Sequence, residues 1–317
     1  MVGKTGPLQT YADEVLSGDF LSPVLATMLI PDAAACLLHG EWAEDRASTL
    51  ERAFELSWWR TIRTGTFEGP LDALWAEELR HRLPSLFLNS TEADTGQRIV
   101  NSHVILDPEL SPALSLPRFT VPRSLRVSTS VLLSARFPAI SPIGSLGSEP
   151  ESGTIHIVDG GYVDNSGALT ASEVATALHT SAARLGLRDK IRTVAVVITD
   201  DPVRLSDSPS DHEKPGVGLE STAAGALLSA FETLDNVRSA LATKHRESLR
   251  ELVHSHGGEV IEGFALRASP IEFPLGWMLS STTRAALTQQ IGVLKAAPRG
   301  PFQRIRQLLS PGRVELR

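Results

Sequence analysis

One segment combines an acidic residue and two glycines directly after an apolar run. Residues 154–158 predict a strand, and Asp159, Gly160 and Gly161 end it. A carboxylate there lies at the edge where open α/β sheets bind ligands, and it can remove a proton from a hydroxyl or a water as a general base. The glycines permit backbone angles closed to other residues and let another segment or a substrate approach closely. The same residues also fit a simple strand-to-loop turn, in which Asp159 accepts bonds from backbone amides.

The remaining candidate residues lack the spacing that metal binding requires. Asp159, Asp164 and Asn165 do not match the Ca²⁺-binding loop of EF-hands. His254 and His256 are two apart in an expected helix end or turn, and the nine histidines form no pair at metal spacing near a carboxylate cluster. We therefore expect no metal and no organic cofactor.

Hydrophobic periodicity predicts the elements that would position Asp159. Strands are predicted at residues 85–91, 98–106, 154–158, 193–199 and 259–266, and helices at 47–59, 71–83, 128–137, 170–187, 219–249, 280–294 and 301–309. Because strands alternate with helices, the sequence predicts an α/β fold with a mainly parallel central sheet. Residues 193–199 form an uncharged run rich in β-branched residues, which suits a strand covered by helices on both faces. Residues 142–153 predict a loop, and residues 200–218 a long surface loop.

Composition argues against one class of partner. The 317 residues include 30 Lys and Arg and 37 Asp and Glu, giving a net charge of −7, so we expect no nucleic acid as partner. The single cysteine, Cys36, cannot form an internal disulfide. A spanning helix needs about 18 nearly continuous apolar residues, and the best candidate, residues 24–30, is closed by proline at both ends. We expect a cytoplasmic or peripheral membrane location.

The C-terminal segment, residues 284–317, has the opposite charge to the rest of the chain. It contains seven basic residues and one acidic residue, Glu315, and it predicts a helical structure. A basic helical segment can lie against an anionic membrane surface. A solvated helix face is the simpler interpretation, and the sequence leaves both open.

Five segments resemble, in the same order, the larger bacterial members of the patatin-like phospholipase family. They are LSGDFLSPVLA at 16–26, PSLFLNSTE at 84–92, SARFPAISP at 134–142, DGGYVDNSG at 159–167 and PLGWMLS at 274–280. The resemblance implies a three-layer α/β fold and a serine acyl hydrolase that acts on lipid or phospholipid esters. The family uses a dyad of a serine in a G-x-S-x-G motif and the aspartate of a DGG or DGA motif, which falls on Asp159. Gly160 and Gly161 would then shape the backbone beside that aspartate.

The sequence departs from the family at the nucleophile. No serine lies in a G-x-S-x-G motif, and the Gly-rich loop that supplies oxyanion-hole amides is missing as well. Both motifs precede the segment that resembles residues 16–26, so we expect residues 1–317 to form a single, N-terminally truncated patatin-like domain. Losing the nucleophile costs an acyl hydrolase several orders of magnitude in turnover, so we expect this chain to be inactive alone.

Three explanations of this departure stay open. The start codon is assigned too late, a partner chain supplies the N-terminal half, or the chain is a degenerate remnant. The alternative from a different class is a non-catalytic module, built on the same fold, that binds a lipid surface or another protein.

Overall fold

A computed structural model describes residues 8–29, 46–76, 83–116, 124–136, 141–147, 154–199, 223–265 and 280–309. The chain divides into two compact units, Met1–Asn165 and Ser166–Arg317. The predicted surface loop at 200–218 lies outside the described residues, as does nearly all of the segment at 274–280.

Both units contain helices and strands, so the protein is mixed α/β as predicted. The first unit contains helices α1 (Leu8–Leu16), α2 (Leu21–Thr27), α3 (Arg46–Ile62), α4 (Val127–Leu133) and α5 (Gly161–Asp164), and strands β1 (Leu88–Glu92), β2 (Arg98–Asn101), β3 (Leu114–Ser115), β4 (Gly144–Gly147) and β5 (Thr154–Asp159). The second unit contains helices α6 (Ala168–Arg184), α7 (Ala223–Ser255), α8 (Ser281–Ala296) and α9 (Pro301–Leu309), and strands β6 (Val194–Thr199) and β7 (Glu259–Ala265). Short 3₁₀ helices occupy Leu71–Trp75 and Arg188–Lys190.

The five-stranded sheet of the first unit is mostly antiparallel, which corrects the prediction of a mainly parallel central sheet. Its strand order is β3-β2-β1-β5-β4, and only the β2–β3 pair is parallel. The reason lies in the connections: residues 93–97 join β1 to β2, whereas a parallel crossover needs about a dozen residues or more. Strand β4 lies inside the segment predicted to be a loop, because its Gly and Ser residues hide the strand pattern.

The core of this sheet is small and apolar. Ile99 of β2, Leu116, Leu133 of α4 and Ile157 of β5 pack together, and all four are buried. Helix α4 is shorter than the predicted helix at 128–137, and the predicted helix at 71–83 has only the 3₁₀ turn in its described part.

Two carboxylates join α3 to α4. Glu51 and Glu55 are one turn apart on α3, so they point to the same side of the helix. The Ser128 hydroxyl donates to Glu55 Oε1 at 2.6 Å, and the Thr129 hydroxyl donates to Glu51 Oε2 at 3.0 Å. Burial raises the pKa of Glu51, and the hydrogen bond from Thr129 opposes that rise.

The second unit contains a parallel pair, β6 and β7, with α6 and α7 packed beside it. Ala168, Leu249 and Val253 form its buried core. One face of β6 is only partly covered in the described part of the chain: Val194, Val196 and Ile198 alternate along it and are exposed by 39%, 44% and 75%. The prediction that helices cover both faces of this strand is therefore wrong for the described part of the chain.

The basic C-terminal segment is helical over α8 and α9, as predicted. The Arg304 guanidinium of α9 binds both carboxylate oxygens of Glu259 at the start of β7, which lowers the pKa of Glu259. Phe302 packs edge-on against Phe264, with ring centroids 5.0 Å apart. In the part of the chain that the structure describes, no helix combines the length and the apolar character needed to cross a bilayer.

The half-buried carboxylate of Glu51 predicts a specific dependence of stability on pH. Because its pKa is raised in the folded state, the contribution of Glu51 to the free energy of unfolding is highest below the ordinary value of 4.5 and falls as the pH rises through the raised value. Glu51→Gln keeps an oxygen that accepts from Thr129 and removes this fall. We expect the variant to gain stability relative to the native protein as the pH approaches neutrality.

The measurement is the midpoint of thermal unfolding, followed by circular dichroism from about pH 4 to about pH 7. Glu14→Gln, an exposed position on α1, is the matched control and should follow the native curve. Parallel curves for Glu51→Gln and the native protein would contradict the argument.

Candidate functional site

Asp159 is the last residue of β5, an interior strand of the sheet that lies between β1 and β4. Its carboxylate Oδ1 accepts a hydrogen bond of 2.6 Å from the backbone N–H of Gly161. Its own N–H donates to the Arg136 carbonyl at 3.2 Å. The side chain is half-buried, so the carboxylate has a fixed direction and still faces partly outward. The turn predicted at this position is therefore present, with its carboxylate bonded to a nearby amide.

Gly160 is required by close approach and not by its backbone angles. Its φ of −68° and ψ of −23° are ordinary helical values. A Cβ at this position would lie 2.2 Å from the backbone oxygen of Asn89 on β1, far inside van der Waals contact. Of the two reasons for glycine given by the sequence, close approach of another segment thus applies to Gly160. Gly161 is buried, begins α5 and supplies the N–H that orients Asp159.

Three polar residues hold this turn against β1: Asp164, which the sequence analysis considered only for metal binding, and Asn89 and Ser134, which it did not single out. The Ser134 hydroxyl donates to the Asn89 carbonyl at 2.6 Å, and the Asn89 amide donates to Asp164 Oδ2 at 3.2 Å. Asp164 is buried at the end of α5. The sequence signal for this contact is Asn89 itself, which lies inside an apolar predicted strand, because asparagine is depleted in strands.

These contacts bring together three of the segments that carry the family resemblance. Residues 88–92 form β1, residues 134–136 follow α4, and residues 159–164 form the turn and α5. The segment at 16–26 forms parts of α1 and α2, and α2 packs on α3. The chain thus places three motifs, distant in sequence, around the end of β5.

Ser90 is the hydroxyl residue that the strand register places opposite Asp159. Directly opposed residues point to the same face of an antiparallel pair, with Cβ atoms about 4.5–5.5 Å apart. Ser90 is only 1% exposed, so a substrate carbonyl has no access to it. It is therefore a buried structural serine, and it does not satisfy the requirement for a reactive nucleophile beside Asp159.

The turn after β5 holds the Asp159 carboxylate in a fixed direction, as a general base requires. Among the residues that the structure describes, no group of three or more His, Cys, Asp or Glu side chains could hold a metal ion.

Comparison with known proteins does not assign this chain to a family. No protein-family model matches the sequence, and no curated protein matches it. The fold and the site define a mixed α/β protein with a carboxylate at the end of an interior strand, followed by a glycine that the neighbouring strand requires.

Gly160→Ala tests the close approach to β1. The added Cβ must displace the Asn89 carbonyl, and because that atom belongs to the backbone, β1 and the turn have to separate. We expect the free energy of unfolding to fall by about 1–3 kcal/mol, the usual cost of overpacking. The measurement is urea unfolding followed by circular dichroism.

Gly147→Ala is the matched control in the same unit. A Cβ there meets no atom within 4 Å, so this variant should stay within about 0.5 kcal/mol of the native protein. Equal stability of Gly160→Ala and Gly147→Ala would show that β1 moves away from the added Cβ without any loss in the free energy of unfolding.

Proposed function

We propose that this chain is the aspartate-bearing part of a patatin-like serine acyl hydrolase, with Asp159 as the dyad aspartate. The observation that carries the proposal is the meeting of three family-like segments at the end of β5, around an aspartate held by the Gly161 N–H. The segments were identified by their sequence alone, and the described contacts join them through Asn89, Ser134 and Gly160.

The chemistry follows from the position of the carboxylate. A serine hydroxyl attacks the carbonyl carbon of an ester while Asp159 accepts the hydroxyl proton. The tetrahedral intermediate then expels the alcohol, which takes up the proton, and water releases the acid from the acyl-enzyme in a second cycle. Holding Oδ1 on the Gly161 N–H keeps the carboxylate directed without a third catalytic residue. The substrate class is a lipid or phospholipid ester.

The nucleophile comes from outside these 317 residues in this proposal. The sequence contains no G-x-S-x-G motif, and Ser90 is buried. A longer form of the chain or a partner chain would supply the serine and the oxyanion-hole amides. The three-layer patatin-like fold belongs to the same proposal, and the parallel pair β6–β7 beside α7 supports it.

The partly exposed face of β6 supports a role for a covering segment, from this chain or from another. Parallel strands are normally covered on both faces, and a two-stranded sheet is marginal by itself. The same face also favours the second candidate function, a non-catalytic module that binds another protein through Val194, Val196 and Ile198. A measurement of ester hydrolysis distinguishes the acyl hydrolase from the non-catalytic module.

The test uses the protein produced in its native host, where whatever supplies the serine is retained. We expect a serine-reactive fluorophosphonate to label one serine outside residues 1–317, on the same chain or on a chain that co-purifies. Asp159→Asn should lower kcat for ester hydrolysis by roughly 10³-fold or more, because the serine loses its base.

Asp13→Asn, an exposed position on α1, is the matched control and should leave turnover unchanged. Unchanged turnover in Asp159→Asn would contradict the assignment of Asp159 as the dyad aspartate. A native protein that neither hydrolyses esters nor takes the label would favour the non-catalytic module instead.

A further inference from the structure

An open surface cavity of about 360 Å³ lies in the second unit, where α6, the 3₁₀ helix Arg188–Lys190 and the end of α7 meet. Its volume is in the range of small-molecule sites, about 300–1,000 Å³. The polar side chains that line it are Thr176, His179, Thr180, Arg184, Arg188 and His256. These residues take no part in the site around Asp159, so this cavity requires an explanation of its own.

Two stacked imidazole rings form the fixed part of the lining. The rings of His179 and His256 are stacked at a centroid distance of 4.0 Å. Nε2 of His179 shares a hydrogen bond of 2.8 Å with the Thr193 hydroxyl, and Nδ1 of His256 donates to the Leu252 carbonyl at 3.0 Å. His179 is 6% exposed, so its position is set by packing as well as by these bonds.

Unused hydrogen-bond donors surround the rings. Arg184 and Arg188 are exposed at the rim, and neither guanidinium makes an ion pair or a hydrogen bond within the described part of the chain. The Thr180 hydroxyl likewise has no hydrogen-bond partner among the described residues. A guanidinium presents five N–H donors in a planar fork, so the cavity has many donors and needs acceptors.

The charge balance of the cavity is positive. Helices α6 and α7 both end here, and each helix end contributes a partial charge of about −0.5. The two guanidinium groups outweigh that charge, which leaves an excess of about one positive charge. No acidic side chain is among the described residues that line the cavity. Burial, with smaller effects from His256 and Arg188, holds the pKa of His179 below its ordinary value.

We propose that this cavity binds a phosphate group, with Arg184 and Arg188 as the principal ligands and the Thr180 hydroxyl as an additional donor. Arginine pairs bind phosphate through parallel N–H···O bonds, and two such forks together suit a group with three charged oxygens better than a carboxylate with two. The phosphate belongs either to a small soluble ligand or to a lipid head group. The proposal is independent of the acyl hydrolase proposal, since no residue is shared.

The first test is titration of the full chain with inorganic phosphate, measured by calorimetry. We expect saturable binding by the native protein and a loss of affinity of roughly tenfold or more in Arg184→Gln/Arg188→Gln, which removes the charge-assisted bonds. Both side chains are exposed, so the double variant should keep the native circular dichroism spectrum. Lys190→Gln is the matched control, because Lys190 is exposed on the same 3₁₀ helix and does not line the cavity.

Proton NMR of His179 supplies a readout that a merely structural role would not move. The titratable groups that act on His179 are His256 and Arg188, and Arg184 lines the same cavity. Bound phosphate offsets their positive charge, so it should raise the pKa of His179 in the native protein and not in the double variant. Absence of saturable binding, or equal loss in Lys190→Gln, would overturn the proposal.

The second test identifies the source of the phosphate. The protein is sedimented with phosphatidylcholine vesicles, with and without phosphatidic acid. Binding that requires phosphatidic acid and both arginines supports a lipid head group, whereas phosphate binding without vesicle binding supports a soluble ligand. Vesicle binding that survives in the double variant, together with no phosphate binding, overturns the proposal.

Discussion

The arrangement of the first unit depends on the approach of the Asn89 carbonyl to Gly160. This oxygen occupies the space in which any other residue would have its Cβ, so β1 and the turn after β5 lie closer than two ordinary segments can. The position of Asp159 follows, because it directly precedes that glycine and its carboxylate is bonded to the next one. The bonds from Ser134 to Asn89 and from Asn89 to Asp164 then surround the contact with polar partners. Removing the glycine would therefore disturb several bonds at once.

The two units use charge in different ways. In the first unit, the half-buried Glu51 and the buried Glu55 accept from the Thr129 and Ser128 hydroxyls, and Glu55 also contacts the Arg126 guanidinium at 3.4 Å. Burying a carboxylate with a hydroxyl costs desolvation free energy. The pair also fixes the direction of both groups, because a buried acceptor that loses its donor destabilises the fold. In the second unit, the guanidinium of Arg304 is paired with Glu259, whereas those of Arg184 and Arg188 remain available at a cavity. The cavity is distinguished by these two guanidinium groups, which form no ion pair within the described part of the chain.

Local pattern predicted many of the elements and little of their pairing. Strands β5, β6 and β7 and helices α3, α6 and α9 follow from periodicity, and Asp159, Gly160 and Gly161 follow from residue type at a strand end. The antiparallel order does not follow from alternation of strands and helices, because connection length decides it. Strand β4 is held by pairing with β5 and not by its own residues. The stacking of His179 on His256 joins positions far apart in sequence, so no local pattern could reveal the cavity.

The row formed by Val194, Val196 and Ile198 also has a consequence for the protein inside a cell. An exposed apolar strand is what chaperones and proteases recognise on incompletely folded chains. A copy whose β6 face stays bare is therefore subject to retention or degradation, while a copy with the face covered escapes both. The steady-state amount of this protein would then depend on the supply of whatever covers the strand as well as on the rate of its own synthesis.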